Sequence, residues 1–139
     1  MATKSFFAAC LLMFALTATA ADQYPPGKLT FQGYLTDGAG TPLGQATTVS
    51  ATVQFRLYRN ATGTALTDLL WAEQQTVKVT RGFFNALLGA GNATGVTGEF
   101  FTNNLAGLFL GADSSDRFLG VTVVGQGGEI SPRIQFLSS

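Results

Sequence analysis

A pair of carboxylates can cleave a glycosidic bond, one as acid and the other as base or nucleophile. The candidates in this chain are Asp37, Asp68, Glu73, Asp113, Asp116 and Glu129. Most stand beside Gly, Ser or Thr in turn-like sequence, where Asp accepts local backbone hydrogen bonds. Glu73 differs. It shares strand parity with Trp71 and Val77, so it points inward, and a structural ion pair with Arg56, Arg59 or Arg133 is the expected consequence. Nucleophilic chemistry has little to work with. The chain has no histidine, its one cysteine is Cys10, and no S-x-x-K motif is present.

The remaining polar groupings are weaker. Asp113-Ser114-Ser115-Asp116 could offer oxygen ligands to calcium, but it lacks the alternating Asp/Asn pattern of an EF-hand loop and is read as a solvated turn. The segment from Gly89 to Gly98 has no G-K-[ST] ending and is read as a flexible connection. Asn60-Ala61-Thr62 and Asn92-Ala93-Thr94 fit the N-glycosylation pattern, but Asn-Ala-Thr is also ordinary turn chemistry. Tyr34 and Tyr58 fall on the outward parity of their strands. Exposed tyrosines stack on sugar rings, so the pair is the best candidate contact for a glycan. No cofactor or metal site is expected.

Met1 to Ala20 has the layout of a secretory signal: Lys4 near the start, an apolar run from Phe6 to Leu16, then Ala18-Thr19-Ala20 as a small-x-small cleavage site. The run is too short for a membrane span, which needs about 20 residues. Cleavage removes Cys10. The exported protein is expected to have no membrane partner afterwards and to be secreted or held at the cell surface. The whole chain carries 8 basic and 8 acidic residues. Without clustered Lys and Arg, nucleic acid is not an expected partner. Charged residues make up 12% of the chain, about half the usual share, so copies repel one another weakly.

The elements that must position these groups repeat every two residues. From Val49 to Tyr58, Val49, Ala51, Val53, Phe55 and Leu57 alternate with polar neighbours, the mark of a half-buried strand. Strands are expected over about Lys28–Leu35, Leu70–Thr80, Phe83–Leu88 and Phe118–Val124, with a return over Glu129–Leu137. Arg81-Gly82 should make the third and fourth into a hairpin, although Arg81 is unusual where a type I′ turn needs positive φ. Gly127-Gly128 should turn the last hairpin, and Pro132 marks its return as an edge strand or a bulge. One short helix is expected within Asn103–Leu110, capped by Asn103 or Asn104, with Gly111 past its end. Phe55, Phe84, Phe118 and Trp71 are expected core; Phe83, Phe100, Phe101 and Phe109 could leave apolar surface exposed. Together these describe an all-β chain: a single antiparallel β-sandwich of six to seven strands. Residues 1–20 would be the signal, 21–28 an extended arm, and 29–139 the sandwich.

Three blocks, FQGYLTDGAGTPLG (31–44), FRLYRNATGTALTDLLWAEQQTVKVTRGFFNALLGAG (55–91) and RFLGVTVVGQGGEISPR (117–133), resemble an uncharacterised module of secreted bacterial proteins. Its pattern runs QG-x-L-x-D-x-x-G-x-P-L, F-x-L-Y, W-x-E, G-x-F ending in LG, then LG-V-x-V and E-x-x-PR. The resemblance implies a module that stands ahead of fibrous or repetitive surface regions, and it brings no catalytic residues.

The expected function is a non-catalytic, exported structural or adhesive module. Its partners would be copies of itself or a surface protein, as in a filament or surface layer, with a carbohydrate-binding module as the alternative. The expected mechanism is edge pairing, in which an extended segment adds to a neighbour's open sheet. The arm around Tyr24, Pro25 and Pro26 is suited to it, because Pro-Pro stays extended. Ile134–Ser139 is the other candidate segment.

Overall fold

The computed structural model describes residues 25–111 and 116–136. Its strands are β1 (Leu29–Tyr34), β2 (Val49–Tyr58), β3 (Leu69–Val79), β4 (Phe83–Leu88), β5 (Arg117–Val123) and β6 (Ile134–Phe136). All pairings are antiparallel. One sheet has two strands, β1-β4, and the other has four in the order β3-β2-β5-β6. The chain is thus the all-β sandwich that its period-two alternation implies. Among the described residues no helix is long and apolar enough to cross a membrane. The signal segment, Tyr24 and Asp113-Ser114-Ser115 lie outside the described residues.

The two inner faces make the core. Val53, Phe55 and Leu57 of β2, Trp71, Val77 and Val79 of β3, Phe84, Ala86 and Leu88 of β4, and Leu119, Val121 and Val123 of β5 are all buried. Each large side chain removed from water in this way contributes about 1.5–3 kcal/mol. Phe31 of β1 joins the layer, its ring edge-on to Phe55 at 5.8 Å. Phe118 is only half-buried. It lies out of phase with Leu119 and Val121 and so faces the outer side, opposite Tyr58.

Gly33 opposes Phe84 in the β1–β4 ladder. The Phe84 ring occupies the space that a Cβ at residue 33 would need. The glycine of the QG block therefore admits a large aromatic from the next strand.

Two hairpin expectations are corrected. Arg81 and Gly82 both adopt positive φ, 51° and 87°. Thr80 and Phe83 exchange both backbone hydrogen bonds, 3.0 and 2.9 Å, so the tight turn forms. Beyond it the strands part. β3 pairs with β2 and β4 with β1, so the turn is a corner between sheets and not a hairpin within one. At the C-terminal end the turn comes earlier than Gly127-Gly128: the Gln126 amide donates to the Val123 carbonyl at 3.1 Å, with Gly125 at positive φ. Residues 129–133 are irregular, and only Ile134–Phe136 pairs with β5. As Pro132 implies, β6 is an edge strand.

The segment from Gly89 to Gly98 is a structural seal and not a loose connection. Gln74 and Asn92 exchange backbone hydrogen bonds of 2.8 and 3.0 Å, and the Ala72 amide donates to the Phe100 carbonyl at 2.8 Å. Residues 92–100 thus cover the outer edge of β3 at Ala72 and Gln74. The expected helix is a single 3-10 turn, Ala106–Phe109. The Asn104 Oδ1 accepts from the Ala106 amide just before it, at 3.1 Å. Phe101 and Phe109 pack on the core, whereas Phe83 and Phe100 stay exposed.

Candidate functional site

The carboxylates hold the fold together. Glu73 is fully buried, as its parity predicts, but no arginine meets it. Arg56 lies one residue out of phase, opposite Ala72, while Glu73 opposes Phe55 on the inner face. Glu73 instead accepts the amide of Gly89 at 3.1 Å to each oxygen, the amide of Gly91 at 2.9 Å and the Gln75 Nε2 at 2.8 Å. Burial pushes its pKa above the ordinary 4.5, and these hydrogen bonds offset only part of that cost. The expected ion pair is therefore replaced by a backbone-amide nest at the end of β4.

The arginines find other partners on the outer face. Arg56 grips Glu99 through Nε at 2.6 Å and Nη2 at 3.0 Å, and the Thr94 hydroxyl adds a third bond at 2.6 Å. Burial alone would raise the Glu99 carboxyl, but the Arg56 and Thr94 bonds outweigh it and hold the pKa below 4.5. Arg133 donates from Nε to Glu129 at 2.7 Å and from Nη1 to the Asn60 carbonyl at 3.1 Å. Its guanidinium lies 3.4 Å from the centre of the Tyr58 ring. The Glu129 carboxylate sits where a Cβ on residue 120 would be, so Gly120 makes room for it. Asp37 Oδ1 accepts the amides of Ala39 and Thr41, both at 2.9 Å, which is the local turn role expected for Asp. Among the described residues every buried side-chain nitrogen and oxygen has a partner.

The two candidate sugar contacts are not equivalent. Tyr34 is 51% exposed and sits edge-on to Phe83, 4.9 Å between ring centres. Tyr58 keeps its outward parity but is 7% exposed, because Arg133 covers its face. The tyrosines also stand on different sheets. The stacking pair expected from sequence is therefore not formed. Pro25 and Pro26 lead into Gly27, whose carbonyl accepts from Leu105 at 2.7 Å, and Lys28 Nζ donates to the Asn103 carbonyl at 2.9 Å. The inner end of the arm is thus fastened to its own domain. The other candidate arm is already in use, since Ile134–Phe136 is β6.

What remains unoccupied is a strand edge. β4 is the only ladder partner of β1 among the described residues. Residues of an antiparallel strand send their backbone groups alternately to one side and the other. The Leu35 amide donates to Gly82, which assigns Leu29, Phe31 and Gly33 to the bonds with β4. The N–H and C=O groups of Thr30, Gln32 and Tyr34 therefore face the open side. The far edge of β4 is guarded at its ends: Phe83 exchanges bonds with Thr80, and the Leu87 carbonyl takes the Gln75 Nε2 at 2.8 Å and the Ala90 amide at 3.1 Å.

A cleft of about 240 Å³ runs along the open side of β1, between it and the β5–β6 end of the larger sheet. Phe31, Leu35, Phe84, Val121, Ile130 and Ile134 line it, and the stretch Gln32–Tyr34 forms its rim. No charged residue contributes to its walls. Ile130 and Ile134 are each 45% exposed. Sequence reasoning singled out Tyr34 at this site but not Gln32, Ile130 or Ile134 as parts of it, because the strand order that unites them leaves no local sequence signal.

Residues 30–133 match the family described as a domain of unknown function, DUF8740. No curated protein and no solved structure matches the chain. The match covers most of the chain, and the protein belongs to this family.

Proposed function

We propose that this member of the DUF8740 family is an exported, non-catalytic structural or adhesive module that acts by protein–protein association, through strand addition at the free edge of β1. One observation carries the reading: the unpaired edge of β1, six residues long, runs beside the apolar cleft. Natural sheets guard their edges, because an unpaired row of backbone groups recruits other chains. Here residues 92–100 cover β3 at Ala72 and Gln74, the Gln75 side chain and the Ala90 amide cap the Leu87 carbonyl of β4, and β6 is three residues long with Pro132 ahead of it. β1 has six residues and no such guard.

Three further features support the reading. The signal-like N-terminus sends the chain out of the cell. Its low charge lets neighbours approach closely. The carboxylates of Asp37, Glu73, Glu99 and Glu129 serve a turn, the amide nest and two ion pairs, a use that suits a scaffold. Repeated on neighbouring copies or on a surface protein, strand addition would extend the smaller sheet across the contact.

The test is light scattering across a concentration series of the signal-free chain beside its Gln32→Pro variant. Proline at residue 32 removes an amide that faces outward and spares those bonded to β4. Association that the variant loses while keeping its β-sheet circular dichroism is the expected result. Association of equal strength in both would overturn the assignment to β1.

A further inference from the structure

Building on that reading, we infer that the cleft beside β1 takes one lone extended peptide segment, uncharged and with apolar side chains at every second residue, and not the sheet edge of a second folded copy. The inference starts from the layers. The smaller sheet has two strands and the larger four. The cleft is bounded by β1 on one side and by Val121, Ile130 and Ile134 on the other. A guest strand there becomes the third strand of the smaller sheet, lying over the β5–β6 end of the larger one. A second copy offering its own β1 would bring its own four-stranded sheet into the layer that β6 already fills. Only a strand without a layer of its own fits, so a neighbouring copy can associate here only through an extended segment that its own two sheets leave out.

The rim and the walls specify the guest chemistry. Thr30, Gln32 and Tyr34 present backbone donors and acceptors on the open side, and a strand satisfies all of them in one ladder. An apolar small molecule would cover these groups and leave them unpaired, which is costly. The cleft volume, about 240 Å³, also lies below the ~300–1,000 Å³ usual for small-molecule sites. Successive residues of a strand point to opposite faces, so alternate guest side chains enter the cleft and the rest remain in water. The walls hold no charged group, so a charged side chain pointing inward would be desolvated without a partner.

Selection of a random displayed peptide library on the full signal-free chain tests this. Enriched peptides should be uncharged and apolar at alternate positions. The synthetic form of the strongest binder should slow hydrogen exchange at Thr30, Gln32 and Tyr34 by about tenfold or more, with no change at Phe31 and Gly33, which already bond to β4. Methylating the peptide's ladder-forming amides, or introducing Ile134→Lys at the cleft wall, should each weaken binding by about tenfold or more. Enriched peptides that protect other amides, a methylated peptide that binds equally well, or no enrichment would overturn the inference. The two readings fail separately. If Gln32→Pro abolishes association but no peptide occupies the edge, β1 remains the contact and the lone-strand guest is wrong.

Discussion

Glu73 on β3 binds the amide of Gly89 at the end of β4 with both carboxylate oxygens 3.1 Å away. That contact ties the larger sheet to the smaller one at the end of β4 remote from the Arg81-Gly82 corner. Replacing Glu73 with Ala leaves the Gly89 and Gly91 amides without an acceptor in a buried site. The expected loss is about 3 kcal/mol, since each orphaned buried donor costs about 1–3 kcal/mol. Urea unfolding of Glu73→Ala beside the parent measures it, and an unchanged midpoint would contradict the role given to the nest.

Glu73 and Glu99 should titrate on opposite sides of their common ordinary value of 4.5. Burial raises the folded pKa of Glu73, so the folded chain holds that proton after the unfolded chain has released it. The pH-dependent part of the stability from Glu73 is full below 4.5 and lost as pH rises through its folded pKa. Glu99 behaves in the reverse sense: its contribution is present above 4.5 and lost as pH falls through its lowered folded pKa. Carboxyl carbon-13 titration by NMR reads both midpoints in one experiment. The reverse order would show that the two environments are wrongly described.

Breaking the outer-face ion pair from one side should be severe. Arg56→Met leaves Glu99, whose side chain is 7% exposed, without its cation. Removal of one partner of a buried pair costs about 3–5 kcal/mol. Replacing both members with apolar residues should recover part of that loss, and a thermal melting series of the parent, the single and the double variant decides it.

Gly33→Ala puts a methyl group where the Phe84 ring lies. Overpacking of this kind costs about 1–3 kcal/mol. Phe84→Leu in the same chain should relieve the clash, so the two changes together should cost less than the sum of the two alone. Additive losses in chemical denaturation would mean that the ring and the glycine do not meet.

The strands were legible because their alternation is local. Val49–Tyr58 and Phe83–Leu88 coincide with the observed strands at both ends, and the inward direction of Glu73 follows from the same parity. Partnership was not legible, because it depends on which strands become neighbours. Arg81-Gly82 carries the same turn chemistry whether the strands beyond it stay together or divide between two sheets. The partners of Glu73 are backbone amides, which no residue type announces. Tyr58 is outward by parity yet covered by Arg133, which stands 75 residues further along the chain. Glu99 lies in an irregular segment with no period to mark it. The glycines at residues 33 and 120 were the available clue, each standing where a bulky group from another segment needs the space.

Amide hydrogen exchange across a concentration series is the most direct measurement of how β1 works. In dilute solution Thr30, Gln32 and Tyr34 should exchange fast, while Phe31 and Gly33 stay protected by β4. As the chain associates, the three even-numbered amides should become protected and the alternation should vanish. Association that leaves them exchanging fast would contradict strand addition at this edge.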